Sequence, residues 1–362
     1  RLGARSRLLA AGGGVRRARA RRAGTLPVVS AAMAPRFSMP AEWTPHERTL
    51  MCWPARADMW GSLLHEAEAS HAEVANAIAA FEPVLMAVRP AQAAAARAAC
   101  SAGVELFEVA LDDSWARDSG PIIVADEAAG RRAGVDFGFN AWGEKFRPWD
   151  DDAAFGARAL ARLGIERVDA TDLVLEGGSI AVDGSGTLFT TEQCLLQPKR
   201  NPSLSGDEIA ERLCELLGVT RVIWLGRGLV EDDDTDGHVD NICAAVAAGH
   251  VLLQTVEDPA DPNYEPAQDN LARLRDAGVA VTELELLPRL DWSGPPTVVP
   301  YTNFYVCNGA VIVPIADPAT DDEALARIAA LYPSREVVGI PGATLAKGGG
   351  GIHCITQQIP TP

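Results

Sequence analysis

The cysteine at position 354 stands in a context that suits a nucleophile. Four consecutive glycines, residues 348–351, lead into the apolar segment 352–358 that carries Cys354. Glycine runs are costly to order and are used where the main chain passes close to another group or turns with positive φ. A cysteine delivered there is placed as a nucleophile would be, although a small buried thiol is the commoner fate of a free cysteine. No Gly-Lys-Ser/Thr follows the glycines, so a phosphate loop is the poorer interpretation.

A histidine lies within the densest polar cluster of the chain, residues 231–240, together with Asp240. The cluster half-matches a calcium loop, but its twelfth position is Cys243 instead of the bidentate glutamate of an EF-hand, and we reject that interpretation. If residues 238–246 form a strand, His238 and Asp240 project to the same side. The pair then either faces the cysteine or belongs to a surface loop with a chance histidine.

Two further acids occupy equivalent places in a recurring pattern of acid, glycine, isoleucine and valine at alternate positions. Asp118 and Glu176 head these segments 58 residues apart, His238 follows 62 residues later, and Cys354 another 116 residues on. Asn308 begins a related polar–glycine–apolar segment. Such intervals predict a repeat architecture of five units in residues 37–362, each with one polar residue facing a common axis, unless the spacing is due to chance.

Hydrophobic periodicity predicts the elements at the start of this region. Strands are expected at 47–53, 83–88 and 104–109, and alanine-rich helices at 62–82 and 90–101.

Charge and composition restrict the class of protein. The net charge is −17, but residues 1–36 contain nine arginines and no acid, which leaves −26 on the remainder. The first segment resembles a plastid or mitochondrial import peptide without a packed core, or a leader ahead of a start at Met33. The acidic remainder disfavours nucleic acid and anionic membranes and favours cationic partners, and no apolar run approaches about 20 residues. Seven widely spaced cysteines indicate a reducing, intracellular compartment, which is the cytoplasm unless the import peptide is genuine.

Four motifs, in order, resemble those of the agmatine deiminase family. They read WARDSGP at 115–121, LEGGS at 175–179, DGHVDN at 236–241 and GGGGIHCITQQ at 348–358. FNAWG at 139–143 and KRNP at 199–202 extend the resemblance, which runs from about Pro40 to the end of the chain. This sequence departs from the family at Gly351, where asparagine is usual, at Ala181, where histidine is frequent, and in a short region at 286–302.

The resemblance implies an α+β fold, namely a five-bladed β/α propeller (pentein) of repeated ββαβ units with the active site on its axis. It implies that Cys354 is the nucleophile and His238 the acid and base, while Asp118 and Asp240 grip a guanidinium group. Glu176 would orient the histidine or hold a guanidinium N–H. The resemblance implies neither a metal nor an organic cofactor.

The implied reaction converts agmatine and water to N-carbamoylputrescine and ammonia, a step of polyamine synthesis, in one catalytic domain at 37–362. The alternatives are deimination of arginine or peptidyl-arginine, transfer of the amidino group to an amine, and non-catalytic binding of a polyamine. The acidic body suits a substrate with a second positive charge, since a carboxylate-reading site wants arginines. Trp115, Asp112 and Asp234 are candidates to line the channel for the substrate tail. A homo-oligomer is compatible with the sequence, and no membrane or nucleic-acid partner is expected.

Overall fold

The structure, a computed structural model, describes residues 37–362. The predicted leader, residues 1–36, lies outside the described residues. The described chain forms a mixed α/β fold with sixteen strands. The strands are β1 (His46–Cys52), β2 (Val84–Val88), β3 (Val104–Glu108), β4 (Ile122–Asp126), β5 (Arg131–Gly138), β6 (Glu166–Val174), β7 (Ile180–Val182), β8 (Thr187–Thr191), β9 (Arg221–Leu225), β10 (Cys243–Ala247), β11 (His250–Gln254), β12 (Ala280–Leu284), β13 (Tyr305–Cys307), β14 (Ala310–Ile315), β15 (Glu336–Pro341) and β16 (Thr356–Pro360).

Twelve helical segments connect these strands in the described part of the chain. They are α1 (Ala57–Trp60), α2 (Leu64–Ile78), α3 (Ala93–Ala99), α4 (Ala116–Ser119), α5 (Ala141–Glu144), α6 (Asp150–Ala153), α7 (Phe155–Leu163), α8 (Glu192–Leu195), α9 (Gly206–Leu217), α10 (Tyr264–Asp276), α11 (Asp321–Leu331) and α12 (Ala343–Lys347). Within residues 37–362, every helix is too short or too polar to traverse a lipid bilayer.

The strands form five separate sheets that share one order. Sheet I contains β16-β1-β2-β3, sheet II β4-β5-β6, sheet III β7-β8-β9, sheet IV β10-β11-β12 and sheet V β13-β14-β15. In each sheet the first two strands are antiparallel and the third is parallel to the second. Helices α2, α7, α9, α10 and α11 lie between the second and third strands, because a parallel connection requires a crossover.

Five apolar clusters fill the spaces between neighbouring sheets. One cluster joins sheet I to sheet II with α7, and others join II to III with α9, III to IV with α10, and IV to V with α11. The fifth joins sheet V to sheet I, since Ile312 and Met51 belong to it together with residues of α2. Each sheet therefore buries apolar surface against two others, and this burial stabilises the fold by about 25 cal/mol per Å².

The two ends of the described chain meet in sheet I. Strand β16 pairs antiparallel with β1, with Thr49 opposite Gln358 and Met51 opposite Thr356. Ile359 is fully buried in this strand. The loop that carries Cys354 is therefore fixed by a strand whose partner comes from the opposite end of the chain.

The predicted elements at 47–53, 83–88, 104–109 and 62–82 are confirmed within a few residues as β1, β2, β3 and α2. The helix predicted at 90–101 is shorter, because its first turn, Pro90–Gln92, is a 3-10 helix. The strand at 238–246 is wrong in its first half, since Val239–Asn241 is a 3-10 turn and β10 begins at Cys243. The His238 N–H donates to the Asp232 carboxylate (3.1 Å) and therefore takes no part in a strand ladder.

Candidate active site

The predicted site residues share one position in the fold, namely the loop just before the first strand of a sheet. Asp118 precedes β4, Glu176 precedes β7, His238 and Asp240 precede β10, and Cys354 precedes β16. All five are buried. Equivalent connections of four sheets, I to IV, thus supply the chemistry-bearing side chains.

Three of these groups surround a single point beside Gly178. A methyl group placed on Gly178 would lie 2.6 Å from His238 Nδ1 and 2.9 Å from both Asp118 Oδ1 and Asp240 Oδ2. The sulfur of Cys354 is 3.7 Å from Asp240 Oδ2. The absence of a side chain at position 178 therefore lets an imidazole and two carboxylates converge beside the thiol.

The Asp118 carboxylate is held by two donors. The backbone N–H of Gly178 donates to Oδ1 and the Trp142 indole Nε1–H donates to Oδ2, both at 2.9 Å. Burial raises the pKa of Asp118, and the nearby charge of His238 only partly offsets this effect. The two donors fix the plane of the carboxylate at the point where charge must be presented.

The turn that carries Trp142 is left-handed. All four residues 141–144 have positive φ, with values of 53°, 54°, 82° and 65°. Each non-glycine residue in this region costs about 1–2 kcal/mol. The Asn140 side chain accepts the N–H of Gly143 (2.9 Å) and closes the turn. Strain of this kind is characteristic of functional sites, and here it directs the indole toward Asp118.

Asp240 is bound by a histidine that sequence reasoning did not assign. His353 Nδ1 lies 2.8 Å from Asp240 Oδ2, and its Nε2 lies 2.8 Å from Glu42 Oε2. Because both ring nitrogens face carboxylates, both donate and the ring is cationic. Burial and Arg117 oppose the charge, but the Glu42 and Asp240 carboxylates outweigh them and raise the pKa of His353. Oδ1 of Asp240 has no partner among the described residues and is free to accept a ligand N–H.

His238 faces two acids without a direct hydrogen bond to either. Its Nδ1 is 3.8 Å from Asp118 Oδ1 and its Nε2 is 3.8 Å from Glu176 Oε2. Burial alone would lower the pKa of His238, but the Asp118 charge and the neighbouring Glu176 raise it well above the ordinary value. A buried imidazolium at this position can therefore donate a proton.

Arg200 holds Glu176 in its ionised form. Nε of Arg200 lies 3.0 Å from both carboxylate oxygens of Glu176, and its other nitrogens reach Asp236 Oδ2 (2.8 Å) and the Thr235 carbonyl (2.7 Å). Burial would raise the pKa of Glu176, but Arg200 and His238 outweigh it and hold the pKa at about 2. The arginine thus connects Glu176 to the loop that carries His238.

Glu176, Cys194 and His238 offer ligand atoms within 4.8 Å of one another and are close enough to hold a metal ion. The Arg200 guanidinium already occupies both oxygens of Glu176. Its positive charge opposes a cation at the same place, so the donor set fits poorly to a metal.

Cys354 lines a cavity whose wall also contains two acids, Asp118 and Asp234. Trp115, Asp118 and Trp142 line its walls, and the others are Met59, Phe146, Asp234, Thr235, Gly348, Gly349 and Cys354. Among the described residues that line the cavity, none is basic. Asp240 is not among them and lines a second cavity behind Cys354, shared with Glu42 and His353.

The acids of residues 231–236 do not all face this cavity. Asp232 accepts hydrogen bonds from Thr235 and Asn241 as well as from the His238 N–H, and Asp236 pairs with Lys145 and Arg200. Asp234 is the acid of this segment that lines the cavity. The structure does not bring the predicted Asp112 to this cavity, since its Oδ2 accepts the N–H of Asp151 (2.8 Å).

Sequence reasoning missed several residues of the site. Trp142 and Arg200 lie in segments that were recognised as motifs, 139–143 and 199–202, without a role for either side chain. Asn308 was expected to face the common axis, but it lies at the β13–β14 turn and bonds to the backbone of His46. Asn303 contacts Cys354 instead, with Nδ2 3.4 Å from the sulfur, and no spacing signal pointed to it.

Comparisons with known proteins agree with this geometry. The model of the Porphyromonas-type peptidyl-arginine deiminase family matches residues 38–360. An agmatine deiminase of Pseudomonas aeruginosa is 42% identical over 355 residues, which cover 90% of this chain and 96% of that protein. Solved agmatine deiminases of Enterococcus faecalis (34% identical, TM-score 0.86, 91% of this chain and 98% of that one) and of C. jejuni with substrate bound (28%, 0.83, 90% and 97%) share the fold. The chain therefore belongs to the Porphyromonas-type peptidyl-arginine deiminase family, and the relatives that it resembles here are agmatine deiminases.

Proposed function

We propose that this chain hydrolyses agmatine to N-carbamoylputrescine and ammonia through a covalent intermediate on Cys354. The observation that carries the proposal is the convergence of His238, Asp118 and Asp240 on one point, with the Asp240 carboxylate 3.7 Å from the Cys354 sulfur. Similarity to agmatine deiminases from three bacteria supports the same reaction.

The two aspartates bind the guanidinium group. Asp118 and Asp240 each place a carboxylate oxygen 2.9 Å from the point beside Gly178. Charge-assisted hydrogen bonds from the guanidinium N–H groups to these carboxylates hold its carbon over the sulfur. Burial, followed by the carboxylates of Asp240 and Asp118, raises the pKa of the Cys354 thiol well above its ordinary value. The bound cation neutralises these carboxylates and thereby favours the thiolate.

The chemistry proceeds in two halves. When the cationic substrate binds, the Cys354 thiol loses its proton to solvent, and the resulting thiolate attacks the guanidinium carbon to give a neutral tetrahedral centre. His238 donates its proton to one amino group, the C–N bond breaks, ammonia leaves, and a cationic amidino group remains on the sulfur. Neutral His238 then removes a proton from water and hydroxide adds to the carbon. The C–S bond breaks and the hydroxyl proton passes to solvent, which releases the neutral ureido product and the thiolate and leaves His238 protonated. Glu176, kept ionised by Arg200, stabilises the histidine charge.

The charges of the residues that line the cavity favour a substrate with an amine over one with a carboxylate. Asp234 lines the cavity together with Trp115, and none of the described lining residues is basic. Asp234 attracts a second positive charge on the substrate. The carboxylate of free arginine would instead be repelled by Asp234 and would find no basic residue among those that line the cavity. Agmatine carries the amine and arginine the carboxylate, so this acid supports agmatine.

We infer that the five sheets are the blades of a five-bladed β/α propeller, a pentein, with the site on its axis. Apolar clusters that join each sheet to the next, and sheet V to sheet I, support this arrangement. Four sheets also place predicted site residues before their first strands, which supports the arrangement as well. These residues are Asp118, Glu176, His238, Asp240 and Cys354. The pairing of β16 with β1 is consistent with one catalytic domain at 37–362. Homo-oligomers and an intracellular location remain predictions.

The direct test compares turnover of agmatine, free arginine and a peptidyl-arginine, with a ureido-group assay, in the parent chain and in Cys354→Ser. We expect the parent to prefer agmatine and Cys354→Ser and His238→Ala to be inactive. A covalent adduct on Cys354 in intact-mass spectra distinguishes an enzyme from a polyamine-binding protein. Added glycine or ornithine tests for transfer of the amidino group. Equal or better turnover of arginine, or a Cys354→Ser chain as active as the parent, would overturn the proposal.

A further inference from the structure

A buried asparagine lies directly against the sulfur of Cys354. Asn303 precedes β13, as the other site residues precede the first strands of their sheets, and its side chain is fully buried. Its Nδ2 is 3.4 Å from the Cys354 sulfur. The fifth sheet thus also delivers a polar group to the site.

The orientation of the Asn303 amide is determined by its other partners. Oδ1 accepts the backbone N–H of His353 (3.0 Å), and Nδ2 donates to Asn241 Oδ1 (3.0 Å). Asn241 is itself oriented, because its Nδ2 donates to Asp232 Oδ2 (3.1 Å). If the Asn303 amide were flipped, its NH2 group would face the backbone N–H of His353, and neither donor would have an acceptor. An amide nitrogen has two hydrogens, so one remains for the sulfur.

We propose that Asn303 is a further catalytic residue, whose Nδ2–H donates a hydrogen bond to the Cys354 sulfur and stabilises the thiolate. This inference rests on the proposed function, in which the thiolate is the nucleophile. A hydrogen bond to a charged acceptor is stronger than one to a neutral acceptor, so the donor favours the thiolate over the thiol.

The surrounding charges make such a donor necessary. The Asp240 and Asp118 carboxylates disfavour a negative charge on the sulfur. The positive charges of His353 and His238 favour it. The Arg117 guanidinium, which donates to the His353 carbonyl (3.3 Å), favours it as well. Asn303 and the Gly351 N–H add neutral donors to the sulfur itself, and both lower the pKa of the thiol.

Gly351 provides the space that Asn303 needs. A Cβ at position 351 would lie 2.3 Å from Asn303 Oδ1 and 2.9 Å from its Cγ. Gly351 is not among the residues with positive φ, so alanine fits the backbone there and acts through the displaced amide. Gly351→Ala should therefore reproduce the effect of losing the amide without any change at Asn303.

The experiment measures the pKa of Cys354 in the substrate-free protein. The rate of iodoacetamide alkylation at Cys354 is followed by peptide mass spectrometry from pH 5 to 11 in the parent, Asn303→Asp, Asn303→Ala and Gly351→Ala. Asn303→Asp keeps the acceptor for the His353 N–H and removes the donor. We expect the apparent pKa to rise by about one unit or more in all three, that is about tenfold less thiolate at a given pH. Agmatine kcat at neutral pH should fall with little change in KM and recover partly at higher pH.

Asn76→Asp is the matched control. Asn76, on α2, also accepts a backbone N–H, that of Ser101, and donates to a backbone carbonyl, that of Ala99. This variant should leave the Cys354 pKa unchanged. Melting curves identify variants that do not fold. A folded Asn303→Asp and a folded Gly351→Ala with the parental Cys354 pKa would overturn the proposal. Alkylation needs no substrate, so failure of the parent to turn over agmatine would count against the proposed function alone.

Discussion

Arg200 illustrates how a single residue controls the ionisation of the site. Its side chain is fully buried, contacts both oxygens of Glu176 and also pairs with Asp236. A buried carboxylate without this partner would keep its proton, because burial disfavours the charged form. The charge on His238 depends in turn on acids of this kind, so the arginine acts on the proton donor without contacting it.

We expect Arg200→Gln to lower the free energy of unfolding by about 3 kcal/mol or more, since it leaves a buried acid unpaired. The folded-state pKa of Glu176 is about 2 against an ordinary 4.5. Its ionised form therefore stabilises the fold above pH 4.5, and this stabilisation is lost as the pH falls from 4.5 toward 2. In Arg200→Gln the pKa of Glu176 rises, so acid unfolding, followed by circular dichroism, should begin at a higher pH.

The control is Arg212→Gln, which removes a partly exposed pair with Asp172 (2.9 Å) and should cost less than about 1 kcal/mol. Arg200→Lys keeps the charge and should recover part of the stability. An acid-unfolding midpoint in Arg200→Gln equal to that of the parent would contradict the role assigned to the arginine.

At the scale of elements, the turns and loops before the strands do the positioning. The left-handed turn at 141–144 stores backbone strain and directs the Trp142 indole to Asp118. The loop at 232–238 is folded around the Asp232 carboxylate, which receives the N–H of His238. These connections set the geometry of the site, while the sheets supply a rigid frame.

We expect Trp142→Phe to lower kcat/KM for agmatine by about tenfold or more, because Asp118 loses one of its two donors while the aromatic packing remains. The ring of Trp142 packs edge-on against Phe139 and Phe146, at centroid distances of 5.1 and 5.6 Å, and phenylalanine preserves those contacts. Steady-state kinetics measure the effect. Trp53→Phe, which removes a buried indole donor to Glu68 (3.3 Å) away from the cavity, serves as control. Equal kcat/KM in the parent and Trp142→Phe would contradict the assigned role.

At the scale of the whole molecule, closure of sheet I by β16 couples stability to catalysis. The strand is buried along its length and pairs with β1 directly after Cys354. Its loss would expose the edge of β1 and the apolar surface that Ile359 covers. Cys354, the proposed nucleophile, is therefore held by the contact that joins the two ends of the described chain.

A chain that stops after Ile355 should lose activity and melt at least about 10 °C lower, or without a cooperative transition. The matched control removes only Thr361 and Pro362, which are exposed, and should behave as the parent. Differential scanning calorimetry and the agmatine assay measure both properties. A shortened chain with the parental melting temperature would show that β16 does not hold the fold together.

The sequence by itself determined the family and predicted the site, because short motifs carry the five candidate residues in the family's order. These residues are Cys354, His238, Asp118, Glu176 and Asp240. The sequence also predicted the first strands and helix of the body, since hydrophobic periodicity reports burial directly. In the structure the two aspartates and the histidine meet at one point, and Asp240 lies 3.7 Å from the sulfur.

Only the tertiary structure decided which other side chains belong to the site. Trp142, Arg200, Asn303 and His353 reach it from loops far apart in the chain, and their roles depend on distances that no local pattern encodes. Asn303 and Asn308 lie only five residues apart in the sequence, yet one contacts the sulfur and the other bonds to the backbone of His46. Hydrogen bonds and charge interactions act over a few ångströms in space, and which residues come that close is set by how the five sheets pack.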